Sequence, residues 1–131
     1  MIVVDANILA YLTVPGERTP AARSLFTRDG DCIAPVLWRS ELRNVIVGYM
    51  RRGQLSLEEA SALLREAEDV MRDHEFSVDS HSVLELAEQS HCSAYDCEYV
   101  ALAKQLGVKL VTMDRDMLRA FPDVAVPLPT A

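Results

Sequence analysis

An α/β fold, a parallel sheet of four to five strands with helices on both faces, is what this chain of 131 residues predicts. Three observations carry the expectation. Short β-branched runs alternate with longer helical patterns, as parallel sheets with right-handed crossovers require. One run, Val3-Val4, ends on Asp5 and passes directly into the apolar segment Ala6-Asn7-Ile8-Leu9. An acid at the C-terminal tip of a buried strand lies where open α/β sheets keep their ligand sites. Half of the residues are apolar, and the length suits one domain over 1–131 with a single substantial core.

Taken in order, residues 1–5 read as the first strand and 6–12 as a short helix. Pro15-Gly16 marks a loop, and Thr19-Pro20 opens a second helix, with Thr19 as N-cap and Pro20 at the first helical position. That helix ends near Gly30, and Cys32-Ile33-Ala34 forms a second strand closed by Pro35. From Val36 to Arg52, Trp38, Leu42, Val45, Ile46 and Tyr49 keep the rhythm of a core-facing helical stripe, and Gly53 suits the left-handed position after it. Ser56-Leu57-Glu58-Glu59 is a capping box that opens a helix to about His74. Phe76-Ser77-Val78 reads as a short strand, and Asp79 or Ser80 caps a helix to about Ser90. Ser93 begins a helix that ends at Gly107. Lys109 to Met113 is a strand, Asp114 follows it, and a short helix runs to Ala120. Val124-Ala125-Val126 completes the set as an edge strand.

The chain carries 13 basic and 20 acidic residues, net −7. Residues 1–66 hold 8 basic and 8 acidic side chains, net zero, whereas 67–131 hold 5 and 12, net −7. This balance argues against tight non-specific duplex binding, but bound cations would offset acidic charge locally. No apolar run approaches the roughly 18 residues of a membrane span. The N-terminus lacks the pattern of a secretory signal, and three cysteines make an odd number for a disulfide framework, so a cytoplasmic setting is expected.

Asp5, Glu41, Asp96 and Asp114 are the candidate site residues. Each also has an ordinary structural reading: Asp5 and Asp114 as helix caps after strands, Asp96 as a first-turn acid at the positive end of a helix dipole. Glu41 lies about 60° from Trp38 and about 40° from Val45 around its helix, at the border of the apolar stripe, where a partner such as a neighbouring Arg would be needed. Together they point further, because strand ends in a parallel sheet share one edge. Two carboxylates about 5 Å apart repel by roughly 3 kcal/mol at an effective dielectric of 20, so four require cations or protons. All-oxygen ligands suit Mg²⁺ or Mn²⁺, and a two-metal site serves in-line displacement at phosphorus. Asp116 is a fifth acid with a first-turn alternative; Asn7 reads as an Asx-turn residue or as one that orients Asp5, and Thr112 as a buried Thr satisfied by backbone or as one that faces the site by strand alternation. Arg39 and Arg43, one turn apart, read as solvated surface or as phosphate contacts.

Four segments then resemble a known family: Val3-Val4-Asp5-Ala6-Asn7-Ile8-Leu9; Pro35-Val36-Leu37-Trp38-Arg39-Ser40-Glu41-Leu42-Arg43-Asn44-Val45; Tyr95-Asp96-Cys97-Glu98-Tyr99-Val100-Ala101-Leu102-Ala103; and Val111-Thr112-Met113-Asp114. In order and spacing the chain resembles PIN-domain proteins, and more narrowly VapC-type toxin ribonucleases, over nearly its whole length. The resemblance implies a Mg²⁺- or Mn²⁺-dependent endoribonuclease with Asp5, Glu41, Asp96 and Asp114 at the acidic positions and Asp116 as a variable extra metal-site acid. It implies a homodimer and a cognate antitoxin that blocks the site; the antitoxin, rather than this chain, also binds DNA. Two other classes stay open on the residues alone: a PIN-like binding scaffold without nuclease activity, and phosphoryl transfer on a small substrate. Aspartate-nucleophile phosphatases usually carry a second acid two residues after the first, where this chain has Asn7.

Overall fold

In a computed structural model, which describes residues 1–130, five strands form one all-parallel sheet in the order β3-β2-β1-β4-β5. The central strand β1 (Ile2–Val4) is flanked by β2 (Cys32–Pro35) and β4 (Leu110–Val111), with β3 (Glu75–Phe76) and β5 (Ala125–Val126) at the edges. Between them run α1 (Ala6–Thr13), α2 (Thr19–Arg28), α3 (Trp38–Arg51), α4 (Leu57–Val70), α5 (Ser80–Glu88), α6 (Ala94–Leu106) and α7 (Arg115–Ala120).

The topology follows from handedness. From β1 the chain steps through β2 to β3, carrying α1 to α4 on one face. It then returns past β1 to β4 through α5 and α6, and a right-handed crossover in the reverse direction lies on the opposite face. Contacts agree: α1 packs on α2, α3 and α4, whereas α6 packs on α5 and across β1, β2 and β4. The strand order therefore reverses between β1 and β4. In open parallel sheets the crevice beyond the strand C-termini at that reversal is the usual ligand site. Trp38, Tyr99, Ile8, Leu9, Ile33, Leu42 and Ile46 fill the core.

Several boundaries differ from the sequence expectation, each for a physical reason. Thr19 is the first helical residue rather than the N-cap; Arg18 occupies the cap position. The Thr19 hydroxyl instead donates to the Tyr11 carbonyl at 2.6 Å and accepts from the Gly16 N–H at 3.0 Å, tying the loop to α1. Helix α4 stops at Val70 rather than near His74, and Asp73 adopts the left-handed conformation (φ 65°), turning the chain toward β3. Strand β3 is Glu75–Phe76 rather than 76–78, because Ala34 and Pro35 pair with those residues. The ladder of β4 is two residues long, not five, although the Thr112 N–H still donates to the Val126 carbonyl at 3.0 Å. Among the described residues, no helix is long and apolar enough to cross a membrane.

Candidate active site

Four elements deliver acids to the crevice between β1 and β4. Asp5 ends β1 and stands at the N-cap of α1, and Asp114 follows β4 at the N-cap of α7. Glu41 lies in the first turn of α3 and Asp96 in the first turn of α6, and helices of a parallel sheet begin at the edge where strands end. All four line one cleft of about 520 Å³, together with Asn7, Ser40, Asn44 and Tyr95; its lining contains no Lys, Arg or His.

Each carboxylate is held by a different device. The hydroxyl of Thr112, itself fully buried, donates to Asp5 Oδ2 at 2.7 Å and accepts the Asp114 N–H at 3.0 Å. Thr112 therefore couples the ends of β1 and β4. Asp114 Oδ1 accepts the N–H groups of Asp116 (2.9 Å) and Met117 (3.0 Å), so this residue caps α7 while it lines the cleft. Glu41 Oε1 accepts the hydroxyl of the buried Tyr99 at 2.6 Å. The Ser93 hydroxyl caps α6 by accepting the Asp96 N–H at 3.1 Å.

The electrostatics are those of crowded acids short of counter-charge. Burial pushes the Asp5 carboxyl above the usual range; the Thr112 hydroxyl and the Asn7 and Ala6 N–H groups oppose this, and the Asp114 charge adds to it. Glu41 is raised first by burial, with Tyr99 opposing, and then by Asp5, Asp96 and Glu98. Asp96 is raised by burial, then by the charges of Asp114 and Asp5. Tyr99 is held far from ionisation by burial and by the carboxylate it serves. This pattern is what clustered carboxylates show when ionised forms repel and lack solvent.

The donor set fits a hard divalent cation: all oxygen, several carboxylates, no competing basic group. Among the described residues, however, no three acidic, His or Cys side chains converge as a preformed ligand set around one point. The carboxylates share a cleft without closing on a single centre, so an ion would have to draw them inward.

The other expected residues are placed as follows. Asn7 is exposed and lines the cleft. Asp116 is not in the cleft lining; its side chain is 77% exposed and pairs loosely with Arg119 at 3.9 Å. Arg39, read as solvated or phosphate-binding, is neither. It forms a fork onto Glu75 (2.6 and 3.1 Å), reaches Glu68 at 2.9 Å, and lies over the Trp38 ring. Trp38 Nε1 donates to the same Glu75 at 2.6 Å, so this network fastens α3 to β3 and α4. Arg43 is exposed. The role of Tyr99 was not legible: three residues after Asp96 it reads as core, and only its polar tip hinted at a partner.

A PIN domain family profile matches residues 2–123. Ribonuclease VapC3 of Pyrobaculum aerophilum is 33% identical over 129 residues, covering 96% of this chain and 98% of that protein. The crystal structure of PAE2754 from the same organism superposes with a TM-score of 0.77 at 21% identity, over 97% of this chain and 83% of that one. A toxin–antitoxin complex from Klebsiella pneumoniae gives 0.68 at 17% identity, covering all of both chains.

Proposed function

This chain belongs to the PIN-domain family, and from that premise we propose that it is a metal-dependent endoribonuclease, the toxin of a toxin–antitoxin pair. The observation that carries the reading is the convergence of Asp5, Glu41, Asp96 and Asp114, from four separate elements, on one cleft without a basic side chain. Support for RNA as substrate comes from the name of the VapC3 relative, and support for an antitoxin from the Klebsiella complex. We take residues 1–131 as one PIN domain that works as a homodimer in the cytoplasm.

In this reading the four acids hold Mg²⁺ or Mn²⁺. When bound, the metal supplies positive charge that activates water and stabilises charge developing on the phosphate during in-line displacement. The chain's own part is positioning. The Thr112 hydroxyl favours the ionised form of Asp5 against the opposing effect of burial, and ties its placement to that of Asp114. Tyr99 fixes one oxygen of Glu41 from below, leaving Oε2 for the cleft. Such outer partners set ligand orientation and are typically worth about 10–100-fold in affinity or activity. Asp116 stands outside the cleft lining, but its charge is felt at Asp96, so it serves as an extra acid at the rim of the metal site.

The test is cleavage of single-stranded RNA by partner-free protein with added Mn²⁺. Activity should require metal and should vanish in Asp5→Asn and Asp96→Asn. Variants that cut as fast as the parent would remove the site assignment. A pure parent inert across varied RNAs and metals would instead favour a binding scaffold.

A further inference from the structure

Beyond the carboxylates, α1 and α3 run side by side away from the cleft and end in a patch that hydrolysis does not use. Glu41, Val45, Tyr49 and Arg52 recur at helical spacing along one stripe of α3 and its C-cap. Glu41 and Val45 line the cleft, and Tyr49 lines the next pocket, of about 240 Å³. On α1, Tyr11 enters that pocket one turn beyond the cleft residue Asn7. At 1.5 Å per residue, Tyr49 stands about 12 Å along the helix from Glu41, a few nucleotides away.

Both rings carry a guanidinium. Arg52 lies 4.8 Å from the Tyr49 ring centroid, and Arg18 lies 5.3 Å from that of Tyr11 while donating to its hydroxyl at 2.9 Å. Among the described residues neither arginine has a carboxylate partner, although Glu17 lines the same pocket. The Arg52 guanidinium lies back along α3, where a Cβ at Gly48 would stand 3.3 Å from its Nη1. Arg51 and Arg43 add exposed charge on the same helix.

We infer that Tyr11, Arg18, Tyr49 and Arg52 form a subsite for single-stranded RNA flanking the scissile bond, each guanidinium–ring stack receiving a base or a phosphate. Planar aromatic and guanidinium surfaces stack on any base, and the guanidinium edge donates to phosphate. In a chain of net charge −7, this patch draws a polyanion toward a cleft that would otherwise repel it. An acidic protein segment would use the charges but not the two ring faces. The inference rests on the ribonuclease reading of the cleft, and its test is independent of cleavage.

The experiment is fluorescence anisotropy of a labelled ten-nucleotide single-stranded RNA with the full chain in EDTA, where affinity is read without hydrolysis. Arg18→Ala with Arg52→Ala should weaken binding about tenfold and reduce the slope of log affinity against log salt by about 1.4, two phosphate contacts at roughly 0.7 each. Tyr49→Leu should weaken binding with little change in slope, as stacking without charge requires. If the parent cuts no RNA with any metal yet shows these losses, the subsite stands and the hydrolytic reading falls. Unchanged affinity and slope in the variants, or a parent that does not bind the RNA, overturns the subsite. So does a labelled poly-glutamate peptide that the parent prefers to RNA and the same variants release, which would assign the patch to a protein partner.

Discussion

Replacing Thr112 by Val removes one hydroxyl from a fully buried side chain and tests the positioning of two acids at once. Val is nearly isosteric, so packing around this fully buried side chain is kept. Two interactions go: the 2.7 Å donation to Asp5 and the 3.0 Å acceptance from the Asp114 N–H. A hydrogen bond to a charged group is worth about 1.5–3 kcal/mol, and an orphaned buried N–H adds about 1 kcal/mol. The expected loss near neutral pH is therefore about 3 kcal/mol without metal, a fall of roughly 10 °C in melting temperature for a chain of this size. Thr112→Ser keeps the hydroxyl and loses one methyl, costing only about 1 kcal/mol. Denaturant melts of parent, Thr112→Ser and Thr112→Val measure the stability difference, and RNA cleavage with Mn²⁺ should fall about 10–100-fold in the Val variant alone. If Val matches Ser in both assays, Thr112 is filling space and the coupling of Asp5 to Asp114 is wrong.

Tyr99→Phe should leave the fold largely intact, because the ring stays buried, but free Glu41 Oε1; RNA cleavage is expected to drop about tenfold, and undiminished cleavage would show that Glu41 needs no such guide. Glu75→Ala should do the reverse, costing about 2 kcal/mol in a denaturant melt as the buried Trp38 N–H and the Arg39 fork lose their acceptor, with metal affinity unchanged. The pH dependence has a definite sign. Asp5, Glu41 and Asp96 all have raised folded-state pKa values, so at these three sites the folded chain binds more protons than the unfolded one. Their stabilising contribution is present below the ordinary Asp and Glu range and is lost as pH rises through the raised values. Without metal, the melting temperature of the parent should therefore fall with rising pH relative to that of an Asp5→Asn, Asp96→Asn variant, in which Glu59, Glu75 and Asp79 keep their opposite contribution. Added Mn²⁺ should raise it, increasingly so at higher pH, since ligand oxygens must be deprotonated; a metal increment independent of pH would contradict this.

Much of the frame was legible because its signals are local. Ser56 with Glu59 forms the reciprocal capping box, Asp79 and Ser93 cap their helices, and Gly107 closes α6 in the left-handed conformation. The acids could be marked from strand ends and first turns, since a parallel sheet brings those positions to one edge. What escaped the sequence was partner choice across the chain. Nothing local tells Arg39 that its acceptor is Glu75, 36 residues on, rather than solvent. Thr112 and Asp5 are 107 residues apart, and strand alternation alone suggested only that Thr112 faces the site. Thr19 carries a standard N-cap signature, yet the Tyr11 carbonyl competes for its hydroxyl and wins. Asp116 reads as near the site along the chain; its charge does reach Asp96, although its exposed carboxylate stands outside the cleft lining.

The central claim is that these carboxylates share cations. The direct measurement is an anomalous difference map from crystals soaked in Mn²⁺ at a wavelength where manganese scatters anomalously. A peak is expected inside the cleft, ligated by Asp5 together with at least one of Glu41, Asp96 and Asp114, with these side chains drawn closer than they now stand. A cleft without a peak at saturating Mn²⁺ would contradict it, whatever the family resemblance.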